Sequence, residues 1–331
     1  MPEREWNPGN LLALSGSYWQ TCALHAAVKL DLFTVISNNG VEPAVAASRI
    51  DADERGITML LNALAAMELL TKSGDRFTNT TAAETFLSKG SKQYIGHMIM
   101  HHHHLMDSWS RLHEGVLTGE PLRPRSALSR EAFLESFLMG MFTLAMNLAP
   151  KIVEAVDLSG CRHLLDLGGG PGTYAVHFCL NNPELKASVF DLPASRPYAD
   201  ETIQKFGLAD RIDFLEGDYL EDPIPGSYDA AWLSHILHGE GPDGCRLFLD
   251  KAASALKPGG LIIVHEFILK DTMDGPLFPA LFSLNMLLGT KEGQSYSEKQ
   301  ITGMLTEAGV GEIRRIPFES PNDSGLIIGT V

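Results

Sequence analysis

Apolar positions along the chain follow two different periods. From residue 10 to about residue 150 they recur three and four apart, the spacing of helices that bury one face. The stretch "YWQTCALHAAVKLDLFTVI" predicts such a helix over 18–36. "VEPAVAASRIDADERGITMLLNALAAMELL" predicts two shorter helices parted by "DADERG", with Asp51 or Asp53 capping the second. "TKSGDRFTNT" predicts a small hairpin turning on Ser-Gly-Asp. From about residue 160 the pattern changes to short apolar runs of strand length: "RHLLDL", "KASVFDL", "RIDFLEGD", "YDAAWLS" and "GLIIVHEFIL". Helical stretches at 172–181, 197–206 and 243–256 separate them, and "LKPGG" stops a helix before the last strand. Alternating strand and helix predicts a mostly parallel sheet with helices on both faces, an α/β doubly wound domain.

A chain of 331 residues suits two domains. The predicted organisation is a helical, winged-helix-like region over 1–100, linking helices over 101–150 that contribute to a substrate site, and the α/β domain over 151–331. Helices followed by a hairpin are also the grammar of a DNA-binding winged helix, and charge decides between the two. Residues 1–100 hold eight Lys and Arg against ten Asp and Glu, and the whole chain carries −15. Phosphate attraction is missing, so a packing or dimerisation module is expected and no nucleic acid partner. Leu24, Val28, Leu32 and Val35 form an apolar face in a region too small to bury it well alone, which predicts a homodimer through residues 10–100.

At 44% hydrophobic and 20% charged, the composition is that of an ordinary globular protein. The four cysteines, Cys22, Cys161, Cys179 and Cys245, are scattered, which predicts a reducing, cytoplasmic setting without disulfides. No basic-then-apolar leader and no run of 18 apolar residues occurs, so no membrane partner is expected.

"LLDLGGGPGTYAVHF" carries the first chemistry. A strand ends, Gly168, Gly169, Gly170 and Gly172 turn the chain, and a helix begins, so backbone can approach a ligand closely. The spacing is not that of a dinucleotide fingerprint, because the third glycine comes one residue early. Asp166 beside the loop would repel a pyrophosphate and welcome a ligand bearing an ammonium or a sulfonium. Asp191 in "VFDLP" lies about twenty residues on, where an acid can take both ribose hydroxyls. Asp218 and Tyr219 in "LEGDY" follow the third strand, where an adenine ring would rest. Three acids, each after one of three successive strands, converge on the crevice outside the strand ends. Leu192 and Ser234, next to these strand ends, complete the expected cofactor set.

"WLSHILHGEG" then places His235 and His238 three apart after the fourth strand. A metal pair would need further ligands, and no Cys or His cluster lies nearby in sequence, so no metal is expected. A catalytic and a structural role stay open on spacing alone. "HMIMHHHHLMDSW" puts His97, His101 and His104 on one helical face and reads first as the polar stripe of a linking helix. Met106 and Trp109 on that helix could lean over a substrate cleft.

In this order, Asp-Leu-Gly-Gly-Gly-Pro-Gly, Asp-Leu-Pro, Gly-Asp, a histidine after the fourth strand and "LKPGG" resemble the class I S-adenosylmethionine-dependent O-methyltransferases. The subgroup is the caffeic-acid and hydroxyindole type with its bacterial natural-product relatives, and the resemblance covers almost the whole chain. It implies a Rossmann-like, seven-stranded sheet and a dimerising winged-helix region. It implies S-adenosylmethionine as cofactor, a small aromatic or polyketide-like hydroxyl acceptor, His238 as general base and Glu266 as the carboxylate orienting it. It also puts His235, Phe137 and Met141 of "FLMGM", and Met286 of "SLNMLL" at the acceptor. The chain departs from the pattern where Gly239-Glu240 replace an Asp-Trp pair and Ser295 stands in place of a second glutamate. Glu292 falls three residues early, and Glu240 is a possible substitute partner. These departures keep a second reading open, a methyltransferase fold turned to hydroxylation or rearrangement.

Overall fold

Local capping and backbone chirality set the elements of the first part of the chain. The computed structural model describes residues 6–37, 39–123, 131–318 and 320–331, and it divides into compact units 1–105 and 106–331. In the first unit, α1 (Pro8–Gly16) starts at Asn7, whose side chain accepts the Asn10 N–H. The helix predicted over 18–36 is two helices, α2 (Tyr18–Lys29) and α3 (Leu32–Ile36), broken at Asp31, which adopts a φ of 53°. Helices α4 (Pro43–Arg49) and α5 (Glu54–Ala66) follow. Asp53 caps α5 by accepting the Gly56 N–H at 2.7 Å, while Asp51 takes a left-handed conformation. Strands β1 (Leu70–Ser73) and β2 (Arg76–Asn79) form the hairpin, followed by α6 (Thr81–Leu87) and α7 (Gly96–Ser110). The unit boundary falls inside α7.

One expectation is corrected here. Val28 and Leu32 are fully buried, with Leu24 and Val35 packed against them, so this face closes the unit's own core with Phe33, Leu61 and Phe77. The apolar side chains that α1 and α2 leave outside are Leu11, Leu12, Leu14, Tyr18 and Trp19, the last 69% exposed.

In the second unit, α8 (Leu112–Thr118) and α9 (Glu131–Ala155) precede the sheet. By length and composition α9 could cross a membrane. Here Leu138, Ala145, Ala149 and Ile152 are buried and its C-terminal turns join the domain core. The chain continues as β3 (His163–Leu167), α10 (Thr173–Asn181), β4 (Lys186–Asp191), α11 (Arg196–Lys205), β5 (Ile212–Glu216), β6 (Tyr228–Ser234), α12 (Pro242–Ser254), β7 (Leu256–Leu269), α13 (Leu277–Gly289), β8 (Tyr296–Ser297), α14 (Glu298–Glu307), β9 (Gly311–Ile316) and β10 (Ser324–Thr330).

Seven strands run in the order β5-β4-β3-β6-β7-β10-β9, and two-residue β8 pairs alongside β7. β10 runs antiparallel to both neighbours, and the other ladders are parallel. Buried residues line both faces, as a doubly wound sheet requires: Leu164, Val189 and Trp232 on one, Leu165, Ala231 and Val264 on the other. "LKPGG" is not a loop before the last predicted strand but part of it. Leu256 already pairs with Tyr228, and the register then slips to Ala230–Leu261 around Gly259 at a φ of 81°. The strand order reverses between β3 and β6, so the crevice beyond their carboxyl ends is the natural place for a ligand.

Candidate active site

The glycine loop leaves β3 and enters α10 through three residues of positive φ, Gly168, Gly170 and Gly172. A Cβ on Gly168 would stand 2.6 Å from the Ile236 side chain, and one on Gly169 2.6 Å from the Asp166 carboxylate carbon. The backbone is thus bare because neighbouring side chains already fill the space.

Asp166 is buried, and its Oδ2 accepts the Ala175 N–H at 3.2 Å. Its Oδ1 is buried without a partner among the described residues. Burial pushes this carboxyl up to about 7. An orphaned carboxylate oxygen behind a glycine loop suits the amino group of a ligand better than any phosphate.

At the end of β4, Asp191 accepts the N–H groups of Gly170 (2.7 Å) and Leu192 (2.6 Å) and the Ser195 hydroxyl (3.1 Å). Burial raises its carboxyl and the Gly170, Leu192 and Ser195 bonds pull against that, with a net rise. The acid therefore ties the glycine loop to the next strand and keeps lone-pair capacity for a diol. After β5, Asp218 accepts the Leu220 N–H at 2.9 Å, and the Tyr219 ring meets Phe248 edge-on at 5.1 Å. Leu192 is 47% exposed, whereas Ser234 Oγ is engaged with His265 Nδ1 at 2.9 Å.

Past β6 the chain makes a tight turn, Leu237–Gly239, that carries His238. His238 Nδ1 lies 2.9 Å from Glu266 Oε2 on β7, and its backbone N–H points to the other carboxylate oxygen at 3.4 Å. Glu266 also accepts the Phe267 N–H at 3.0 Å. Burial pushes its carboxyl up, but His238 and His235 outweigh burial and hold it well below the ordinary range. His235 takes a φ of 56°, fixed by its N–H to the His265 carbonyl at 2.8 Å, and its Nδ1 stands 3.6 Å from the same Glu266 oxygen. The donor atoms of His235, His238 and Glu266 all lie within 4.8 Å of one another, so β7 supplies a third potential ligand that His-x-x-His spacing does not reveal.

Three phenylalanines that sequence reasoning passed over surround the histidines. Phe267 packs on His235 with centroids 4.2 Å apart, Phe282 meets His238 edge-on at 4.7 Å, and Phe278 closes on Phe267 at 4.9 Å. Phe278 and Phe282 stand four apart on α13, a spacing that was visible but is equally the spacing of core residues.

The departures from the expected pattern resolve individually. Ser295 is fully buried, its N–H donates to Ser283 Oγ, and its own hydroxyl has no partner among the described residues. Glu292 packs against Gly241, and the Glu240 side chain lies over Gly244, while the Glu240 carbonyl accepts the Tyr296 hydroxyl at 2.6 Å. Glu266 is the carboxylate within bonding distance of the His238 ring.

Of the expected acceptor residues, Met286 is buried on α13, and Trp109 Nε1 donates to neighbouring Asn285 at 3.2 Å. Phe137 and Met141 are half-buried on α9, four apart; Leu138 between them reaches to 3.6 Å from where a Gly170 Cβ would lie.

Comparison with known proteins identifies the family. A family model described as the O-methyltransferase domain matches residues 125–311, and one described as the O-methyltransferase dimerisation domain matches residues 12–89. The chain is 34% identical to 3-hydroxy-5-methyl-1-naphthoate 3-O-methyltransferase of Streptomyces sahachiroi, over 99% of this chain and 96% of that protein. It is 30% identical to the tetracenomycin polyketide synthesis 8-O-methyl transferase of Streptomyces glaucescens, over 95% of each. The solved structure of human N-acetylserotonin methyltransferase in complex with S-adenosylmethionine superposes with a TM-score of 0.88 at 27% identity, covering 100% of this chain and 99% of that one.

Proposed function

The chain belongs to the O-methyltransferase family and is an S-adenosylmethionine-dependent O-methyltransferase, and from that premise we propose that His238 is its general base, oriented by Glu266, acting on a small aromatic or polyketide-like hydroxyl compound. The observation that carries this reading is the 2.9 Å contact between His238 Nδ1 and a fully buried carboxylate. An ionised carboxylate only accepts hydrogen bonds, so Nδ1 carries the proton and Nε2 keeps its lone pair. Nε2 is then the basic atom, and the phenylalanines around it keep water away.

When bound, S-adenosylmethionine supplies an electrophilic methyl group on a sulfonium. A phenolic hydroxyl has a pKa near ~10 and is mostly protonated at neutral pH, more so in a dry pocket. His238 Nε2 takes the hydroxyl proton as the oxygen attacks, and Glu266 balances the imidazolium that forms. Such positioned base catalysis gives about 10²–10⁴-fold. Asp166, through its unpartnered oxygen, would hold the amino group of the cofactor, the glycine loop its backbone-facing side, and Asp191 the ribose hydroxyls. Asp218, Tyr219, Leu192 and Ser234 would border the adenosine and methionyl ends. Phe137, Met141, Met286, Trp109 and His235 would shape the acceptor side.

We assign residues 1–100 to homodimer formation and the linking helices over 101–150 to the acceptor side; the dimerisation-domain match over 12–89 and the exposed apolar side chains of α1 and α2 support the first. Four free cysteines, three of them buried, suit a reducing cytoplasm. The reading is tested with His238→Ala. Calorimetry should show S-adenosylhomocysteine binding nearly unchanged, while labelled-methyl transfer to a weakly acidic phenol falls about 10²–10⁴-fold. Transfer at the wild-type rate would remove His238 from the proton step.

A further inference from the structure

The turn that presents His238 is held at its backbone as well as through the imidazole ring. After α13 the chain comes back against Leu237–Gly239 and enters β8, where Tyr296 is the register partner of Ile268, two residues beyond Glu266 on β7. The Tyr296 hydroxyl donates to the Glu240 carbonyl at 2.6 Å, and the residue is only 2% exposed. Cys245 on α12 brings its Sγ to 3.1 Å from the Leu237 carbonyl and to 3.7 Å from the Tyr296 hydroxyl. Gly293 lies against the middle of the turn. A Cβ there would press into the His238 carbonyl and stand 2.9 Å from that of Gly239. The Gly293 N–H donates to Thr290 Oγ1 at 2.9 Å, and the Thr290 hydroxyl donates to the Met286 carbonyl at 2.9 Å, so Gly293 is itself anchored to the end of α13. The four carbonyls from Leu237 to Glu240 thus each meet a group from α12 or from residues 290–296.

Such a hold matters because Glu266 fixes the His238 ring only at Nδ1, and where Nε2 points also depends on where the turn sits. The turn has little of its own to keep it in place. Gly239 has no side chain, and among the described residues nothing lies within 4 Å of where its Cβ would stand. Gly239-Glu240 stand where the family pattern has an Asp-Trp pair, and Ser295 stands in place of its second glutamate. Tyr296, the residue after Ser295, supplies a buried hydroxyl to the carbonyl of that same Glu240. A buried hydroxyl without a partner costs free energy, so the bond is a fixed feature of the folded state. Burial also holds the Tyr296 phenol above its ordinary value, which keeps it protonated and donating.

We propose that Tyr296, with Gly293 against the same turn, is a positioning residue: its bond to the Glu240 carbonyl sets where His238 stands, and so where Nε2 meets the acceptor hydroxyl. This rests on the reading of His238 as base. Tyr296→Phe keeps the ring and removes the hydroxyl. For a phenol of pKa ~10, kcat should fall about 10-fold, a part of what a positioned base supplies, with KM and S-adenosylhomocysteine affinity within about threefold. The loss should shrink for more acidic phenols. In a His238→Ala background the same substitution should cost nothing further, because it acts only through the imidazole. Calorimetric stoichiometry of S-adenosylhomocysteine counts folded sites, so kcat is compared per folded site. With His238→Ala impaired, wild-type activity of Tyr296→Phe would overturn the proposal. So would a loss of equal size in both backgrounds or for every phenol, the mark of general loosening. Gly293→Ala pushes on the same turn and should give the same graded loss; it decides if Tyr296→Phe does not fold, and a uniform loss there counts against the proposal. Proton NMR reads the positioning without turnover. The low-field Nδ1–H resonance of His238, identified by its disappearance in His238→Ala, should shift or exchange faster in Tyr296→Phe and in Gly293→Ala. An unchanged resonance overturns the proposal. A perturbed resonance alongside full activity of His238→Ala supports Tyr296 as the hold on His238 and sinks the base instead.

Discussion

Glu266→Gln isolates the charge that stands behind His238, the proposed base. The substitution keeps the side-chain volume in a site where Glu266 is only 2% exposed, and it keeps an acceptor oxygen near His238 Nδ1. What disappears is the negative charge facing an imidazolium whose centre lies roughly 4 Å away. At an effective dielectric of about 20, two unit charges at ~4 Å interact by about 4 kcal/mol. At about 1.4 kcal/mol per factor of ten, that is close to 10³-fold in the step that creates the imidazolium. The retained hydrogen bond and the relief of burying a carboxylate both reduce this, so a loss of about 10²–10³-fold in kcat is expected. The assay is labelled-methyl transfer at saturating cofactor, over phenols with pKa from about 7 to about 10. The loss should be greatest for the least acidic phenol and shrink as the acceptor ionises unaided. S-adenosylhomocysteine affinity should stay within about threefold of wild type, because only a transition-state interaction is removed. A folded Glu266→Gln protein that methylates a phenol of pKa ~10 at the wild-type rate would refute the reasoning.

Asp166, placed in the proposed cofactor site, carries a prediction about pH. Its folded-state value of about 7 lies above the ordinary 3.8, so the stability it contributes is fully present below 3.8 and lost as pH rises through 7. Melting of the ligand-free protein should therefore decline from pH 5 to pH 8, and Asp166→Asn should flatten that decline. S-adenosylhomocysteine should bind more tightly over the same rise, because an ammonium group needs the ionised carboxylate; calorimetry at fixed ionic strength reads this, and a pH-independent affinity would contradict it. Asp191→Ala leaves the Gly170 and Leu192 N–H groups without their acceptor and removes the diol's partner, so the dissociation constant of S-adenosylhomocysteine should rise about 10–100-fold. In sedimentation, the wild type should be a dimer at micromolar concentration, and Leu12→Glu with Trp19→Glu should shift it to monomer; a monomeric wild type would defeat the assignment of the exposed α1 and α2 side chains.

Much of this protein is legible in the order of its residues. Period-3.6 and strand-length apolar runs distinguish the two parts of the chain, because burial of one helix face and of both sheet faces imposes those patterns locally. The Gly168–Gly172 turn and the acids Asp166, Asp191 and Asp218 could be placed at the strand ends because each lies within two residues of the carboxyl end of its own strand. The helix break at Asp31 and the strand running through "LKPGG" were not legible, since a single left-handed residue and a register slip leave little trace in periodicity.

The tertiary structure supplies the contact between His238 and Glu266 that the family resemblance only implied. Glu240 and Glu292 are near in sequence or in motif, yet Glu266, 28 residues away, makes the contact, because β6 and β7 are hydrogen-bonded neighbours whose ends lie side by side. It likewise turned Leu24, Val28, Leu32 and Val35 inward and left α1 outside, a choice that depends on which helices pack together and that no single helix face reveals. The phenylalanine cage belongs to the same class. Its residues come from α13 and β7, brought together only when the sheet order and the helix packing are fixed.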